Sequence, residues 1–129
     1  MQIVLIDDDK DLRELTQAAL ARFGYEVFTF PTAEDGIRYA KTTKPSLILM
    51  DLMLPGISGE EAVKLIKSDE NLMNVPIVFL TGLVEFEKNS DNQTLRVDGL
   101  NYLSLGKPFA LEKLLEVVRK YDVKKGQKK

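Results

Sequence analysis

A chain of 129 residues with 44% hydrophobic and 29% charged side chains has the size and balance of one globular domain, with no room for a second. It contains no cysteine and no histidine, which excludes a disulfide framework, the common zinc, haem and iron–sulfur sites, and the Ser-His-Asp and Cys-His constellations. Any metal must then be a hard cation on oxygen ligands, and any covalent catalysis must use a carboxylate, hydroxyl or amine. Net charge is −2, but residues 119–129 hold six Lys or Arg against one Asp, so the preceding body is near −7. An acidic body argues against nucleic acid as the main ligand, because phosphate backbones need a basic footprint. The apolar runs IVLI and LILM are far shorter than the ~18 residues of a membrane span. No basic segment precedes the first of them, so the N-terminus does not resemble a secretory signal, and a cytoplasmic location is expected.

Taken in order, QIVLI at residues 2–6 reads as a strand. Asp8 or Asp9 then suits an N-cap, and Leu12, Leu15, Ala19, Leu20 and Phe23 form a helical stripe that predicts a core-facing surface, with Gly24 suited to the C-cap. A second strand is expected over 25–30. The helix over 32–42 opens with Thr32, carries Glu34 and Asp35 in its first turn, and presents Ala33, Ile37 and Ala40 on one face. A third strand, 46–50, precedes a helix over 58–69 in which Ser58 and Glu61 form a capping-box pattern ahead of Ala62, Leu65 and Ile66. Strands are expected again over 76–80 and 100–105, and a last helix over 109–121 should bury Leu111, Leu114, Leu115 and Val118. Between the last two strands, EKNSDNQT is a poor helix former. Val84 with Phe86, and Leu95 with Val97, alternate around a polar turn centred on Ser90 to Asn92, which suits a short hairpin or an irregular loop.

Strands apolar on both faces and separated by helices predict a parallel sheet covered on both sides, a doubly wound three-layer α/β sandwich. In such sheets ligands bind beyond the carboxyl ends of the strands. The residues there are Asp7, Asp8 and Asp9 after the first strand, Asp51 after the third, Thr81 and Gly82 after the fourth, and Lys107 with Pro108 after the fifth. Each alone has an ordinary explanation as a cap, a turn residue or a surface cation. Together, four distant segments deliver polar groups to one sheet edge, which independent capping does not require.

Carboxylates gathered at one edge repel unless cations accompany them. Lys107 supplies one cation and a divalent ion the rest; magnesium fits because it takes one or two carboxylates and completes its shell with water and phosphate oxygen. A carboxylate can also attack phosphorus to give an aspartyl-phosphate. Magnesium, Lys107 and the Thr81 hydroxyl can each neutralise one equatorial phosphoryl oxygen, and Gly82 leaves the approach open.

The strings VLIDDD, LILMDLMLPGISG, VFLTG and GKPF, in this order and spacing, resemble the receiver domain of two-component response regulators across residues 1–121. The resemblance implies a flavodoxin-like five-stranded parallel sheet of order 2-1-3-4-5. It implies Asp51 as phosphoacceptor, Asp7, Asp8, Asp51 and the Met53 carbonyl as magnesium ligands, Thr81 and Lys107 as the phosphate-sensing hydroxyl and lysine, and a cis bond between Lys107 and Pro108. It further implies a switch rather than a conventional enzyme, one that takes phosphate from a histidine kinase or phosphotransfer protein, signals to a downstream partner and then dephosphorylates itself. Met53 and Leu83, apolar at the two positions that govern water access, imply slow hydrolysis. A monomer or a phosphorylation-dependent dimer is expected, with neither direct DNA binding nor a membrane partner. Residues 122–129 are expected to be a solvated basic tail, too short for an output domain.

The chain departs from the family between Thr81 and Lys107, where it has several extra residues and an atypical fourth-helix region. The switch aromatic departs as well: Ser104 stands three residues before Lys107, while Tyr102 stands five before, and alternation puts both on one face. Two rival readings differ in class. One is a receiver-like binding module that is never phosphorylated; the other is a haloacid-dehalogenase-type phosphohydrolase, for which Asp7 and Asp9 supply a DxD pattern but the lid-bearing insertions are missing.

Overall fold

The computed structural model describes residues 1–82 and 94–122. Its elements run β1 (Gln2–Ile6), α1 (Lys10–Ala21), β2 (Glu26–Phe30), α2 (Ala33–Thr43), β3 (Leu47–Asp51), α3 (Gly59–Lys67), β4 (Ile77–Thr81), β5 (Thr94–Val97), β6 (Leu100–Gly106) and α4 (Leu111–Lys120). The strands form one sheet of order β2-β1-β3-β4-β6-β5. Its first five members are mutually parallel and stand in the expected 2-1-3-4-5 order; the sixth is an addition. Alternation along the strands feeds two cores. Ile3, Leu5, Leu47, Leu49, Val78 and Leu80 pack on the side that also holds Leu20 of α1 and Leu114 and Val118 of α4. Val4, Ile6, Ile48, Met50, Ile77 and Phe79 pack against Ile37 of α2 and Ala62 and Ile66 of α3. Burial on both faces is what makes these strands read as continuous apolar runs.

The added strand corrects the five-stranded expectation. β5 pairs antiparallel with β6, from Thr94 opposite Leu103 to Val97 opposite Leu100. The two are joined at Asp98 and Gly99, whose φ values of 52° and 83° are both left-handed, as a two-residue type I′ turn demands. This β5–β6 turn was not among the expectations; the hairpin or loop expected around Ser90 to Asn92, with Val84 and Phe86, lies outside the described residues. Asp-Gly is itself a strong hairpin signal, and it stands directly before an apolar run from Leu100 that fits the parallel set equally well.

The expected N-caps form, while α1 takes its C-cap at Arg22, two residues before Gly24. Asp9 caps α1 by accepting from the Leu12 N–H at 3.2 Å, and Thr32 caps α2 in the same way through Asp35. Ser58 and Glu61 close a full capping box at the start of α3. The core stripe of α1 is corrected. Leu20 is buried, but Leu15 is 70% exposed and Phe23 41% exposed. The helix instead turns Thr16 inward with Leu20, while Arg13 and Gln17 bind backbone carbonyls of the sheet, Asp7 O at 2.8 Å and Val27 O at 2.6 Å. Two adjacent helical faces satisfy the same apolar spacing, and the polar anchors decide between them. Smaller corrections of the same kind apply to Leu65 and Leu111, which lie exposed while Val63 and Val117 take buried places.

Candidate functional site at the carboxyl edge of the sheet

Main-chain pairing carries the sheet to the residues just beyond the strands. Asp7 N–H donates to Phe30 O at 3.0 Å, Leu52 N–H to Leu80 O at 2.9 Å, and Lys107 N–H to Thr81 O at 2.7 Å. The loops that leave β1, β3, β4 and β6 thus start from a fixed frame. Asp7 and Thr81 are fully buried and Asp51 is 5% exposed, whereas Asp8 and Gly82 are exposed.

The structure brings Asp7, Asp8, Asp51 and Lys107 together. The three acids can present carboxylate oxygens all within 4.8 Å of one another. Lys107 Nζ stands 2.7 Å from Asp7 Oδ2 and 3.2 Å from Asp51 Oδ2. Asp7 Oδ1 accepts from the Asp9 N–H at 2.9 Å, and Asp51 Oδ1 accepts from the Met53 N–H at 3.1 Å. The Lys107–Pro108 bond is cis, as expected. Met53 carries a side chain 65% exposed, and a Cβ added at Gly82 would meet nothing within 4 Å.

Burial pushes the Asp51 carboxyl above its ordinary value; the Met53 N–H opposes this, neighbouring Asp7 adds to it, and Lys107 offsets it in part. Burial by itself lowers Lys107, but its contacts with Asp7 and Asp51 prevail and hold the ammonium above the ordinary lysine value. A hard divalent cation fits this donor set. Asp7 Oδ2 is buried and, among the described residues, has no partner beyond Lys107 at 2.7 Å, so it keeps coordinating capacity. The chain has no histidine imidazole and no cysteine thiolate to favour a different metal.

Tyr102 and Ser104 are both buried, on the same face of β6, as alternation predicts. Ser104 is paired in register with Phe79 of β4, and Tyr102 with Leu95 of β5. The Tyr102 ring meets Phe79 edge-on at 5.5 Å and lies under the Lys67 ammonium at 5.9 Å. Neither the Tyr102 hydroxyl nor the Ser104 hydroxyl has a hydrogen-bond partner among the described residues. One neighbour of the site has no signal in the sequence: Arg13 lies on the polar side of the apolar stripe and nevertheless bonds the Asp7 carbonyl.

Known proteins match this chain in sequence and in fold. The family model for the response regulator receiver domain matches residues 3–119. The phosphate regulon transcriptional regulatory protein PhoB of Pseudomonas aeruginosa is 34% identical over 113 residues, which are 88% of this chain but 48% of PhoB. The chain thus spans about half the length of that relative. The polar-differentiation response regulator DivK of Brucella ovis is 28% identical over 92% of this chain and 94% of its own length. Among solved structures, the chemotaxis response regulator CheY4 of Vibrio cholerae superposes with a TM-score of 0.76 at 26% identity, covering 93% of this chain and 97% of CheY4. The receiver domain of a Pseudomonas aeruginosa sensor histidine kinase, with a magnesium ion coordinated in its active-site cleft, superposes with a TM-score of 0.75 at 26% identity, covering 93% and 95%. With the match running from β1 into α4, this chain belongs to the response regulator receiver domain family.

Proposed function

We propose that Asp51 is the phosphoacceptor of this receiver, that Asp7 and Asp8 hold magnesium with it and with the Met53 carbonyl, and that Thr81 and Lys107 bind the phosphoryl oxygens. Receiver domains are phosphorylation-dependent switches of two-component signalling rather than conventional enzymes; they take phosphate from histidine kinases and act on downstream partners. The observation that carries the assignment is the meeting of Asp7, Asp51 and Lys107 within 3.2 Å contacts at the edge where β1, β3 and β6 end.

An Asp51 carboxylate oxygen attacks the phosphorus of the donor, the bond from phosphorus to the donor nitrogen or oxygen breaks, and its electron pair leaves with the donor. Lys107, already beside Asp51, is placed to neutralise one phosphoryl oxygen, and the buried Thr81 at the end of β4 to donate its hydroxyl to another. When bound, magnesium supplies further charge neutralisation and alignment of the phosphoryl group. Water attack on the phosphorus later returns Asp51 and inorganic phosphate, so the chain catalyses both halves of its own cycle. The donor is a histidine kinase or phosphotransfer protein, the site works in the cytoplasm, and the receiver acts as a monomer or as a dimer formed on phosphorylation. Residues 1–121 carry the switch, and neither DNA nor a membrane is a direct partner of that segment.

Intact-mass measurement after incubation with acetyl phosphate tests the assignment. One added phosphoryl group is expected, dependent on magnesium and absent from Asp51→Asn. No gain under conditions that modify other receivers would sink it in favour of an unphosphorylated binding module, and turnover of a generic phosphate ester would favour a phosphohydrolase.

A further inference from the structure

The residue carrying the buried acid is clamped at every polar atom of its main chain and side chain. The Asp7 N–H bonds Phe30 O, its Oδ1 accepts from the Asp9 N–H, its Oδ2 faces Lys107, and its carbonyl accepts from the Arg13 guanidinium at 2.8 Å. Three of these four contacts come from main chain or from the proposed phosphate-binding lysine. The fourth comes from Arg13, a half-buried side chain in the first turn of α1. One turn further, Gln17 makes the same kind of bond to Val27 O, far from any carboxylate of the site. Arg13 and Gln17 therefore share a packing role, but only Arg13 holds the peptide that leads from Asp7 to Asp8.

We propose that Arg13 is a positioning residue for the cation site, fixing the Asp7–Asp8 peptide so that both carboxylates converge with Asp51; this rests on the magnesium reading above. A peptide carbonyl left without the guanidinium turns toward water and takes the Asp7 and Asp8 side-chain directions with it. Metal sites depend on such outer contacts for ligand geometry. The guanidinium has no ion pair with any of the three acids, so its positioning role and its charge act in opposite senses. As a nearby positive charge alone it would weaken cation binding, and its removal would tighten it. As a positioning group its removal loosens binding.

The sign of the change is measurable by calorimetric titration of the full chain with magnesium chloride. Arg13→Met, which keeps the apolar stem, is expected to weaken magnesium binding about tenfold, the loss of one charge-assisted hydrogen bond. Phosphorylation of Asp51 should fall at limiting magnesium and recover at saturation. Gln17→Met removes the equivalent anchor one turn away and is expected to lower thermal stability while leaving magnesium affinity unchanged. Should Arg13→Met not fold, Arg13→Lys carries the same test with a smaller loss of affinity. Unchanged or tighter binding in a folded Arg13 variant, or equal weakening in Gln17→Met, overturns the assignment. A wild-type chain that binds no magnesium overturns the site reading and this assignment together, whereas normal wild-type binding with an indifferent Arg13 variant overturns this one alone.

Discussion

Lys107 lies closer to Asp7 than to Asp51: its ammonium is 2.7 Å from Asp7 Oδ2 and 3.2 Å from Asp51 Oδ2. One cation therefore offsets two carboxylates, both nearly inaccessible to water. Lys107→Met leaves them facing each other uncompensated, and a loss of about 2 kcal/mol is expected in urea unfolding with chelator present. Magnesium at a hundred times its dissociation constant stabilises a native state by about 2.7 kcal/mol. Because the added cation replaces the missing ammonium, the variant should gain more from a given magnesium concentration than the wild type does. An equal or smaller gain would show that Lys107 does not compensate the acids.

Asp51 has its carboxyl raised chiefly by burial. The folded state therefore holds a proton that the unfolded chain has already released, and in the pH window just above 3.8 stability falls as pH rises. Above that window the ionised acid is a standing cost. Asp51→Asn, neutral at every pH, should thus be more stable than the wild type at neutral pH, with the difference closing as the pH falls below the ordinary carboxylate value. Thermal unfolding of both proteins across pH 3 to 8 reads this directly, and a variant less stable at pH 7 would contradict the sign.

Tyr102 fills core space against Phe79 but buries a hydroxyl that has no partner among the described residues. Removing only that oxygen should stabilise the fold, by about 1 kcal/mol for Tyr102→Phe, because an unsatisfied buried hydroxyl costs its desolvation. Tyr102→Ala should instead cost about 3 kcal/mol through the lost ring. Chemical denaturation separates these outcomes, and a destabilised Tyr102→Phe would reveal a partner for the hydroxyl.

Met53 is tied by its N–H to Asp51 Oδ1 while its side chain is largely exposed. An apolar thioether there offers no hydrogen bond to steer an attacking water. The Asp51 acyl phosphate is expected to persist well beyond seconds, and Met53→Asn, which offers both a donor and an acceptor, to shorten its life several-fold. Decay of the phosphorylated mass with time gives both numbers; a half-life of seconds in the wild type would count against the apolar-shield argument.

Much of this molecule was legible in local patterns. Period-two and continuous apolar runs locate the five parallel strands, Thr32, Ser58 and Asp9 cap the helices as their types dictate, and the rule that ligands collect beyond strand ends brings Asp7, Asp51, Thr81 and Lys107 to one edge. These features depend on residues near in sequence or on the handedness and order of a doubly wound sheet. The Asp98-Gly99 turn is also a local signal, but it adjoins the Leu100 run, which satisfies the pattern of a parallel strand by itself.

What only the tertiary structure decided are contacts between distant residues. The face that α1 turns inward depends on whether Arg13 and Gln17 find carbonyls at Asp7 and Val27, which no helical period contains. The place of Tyr102 depends on β5 at its side and Phe79 across the sheet, and the balance of Lys107 between two acids depends on three chain segments meeting. A repeating pattern specifies which side chains can be buried; the geometry of the assembled sheet selects which partners they meet there.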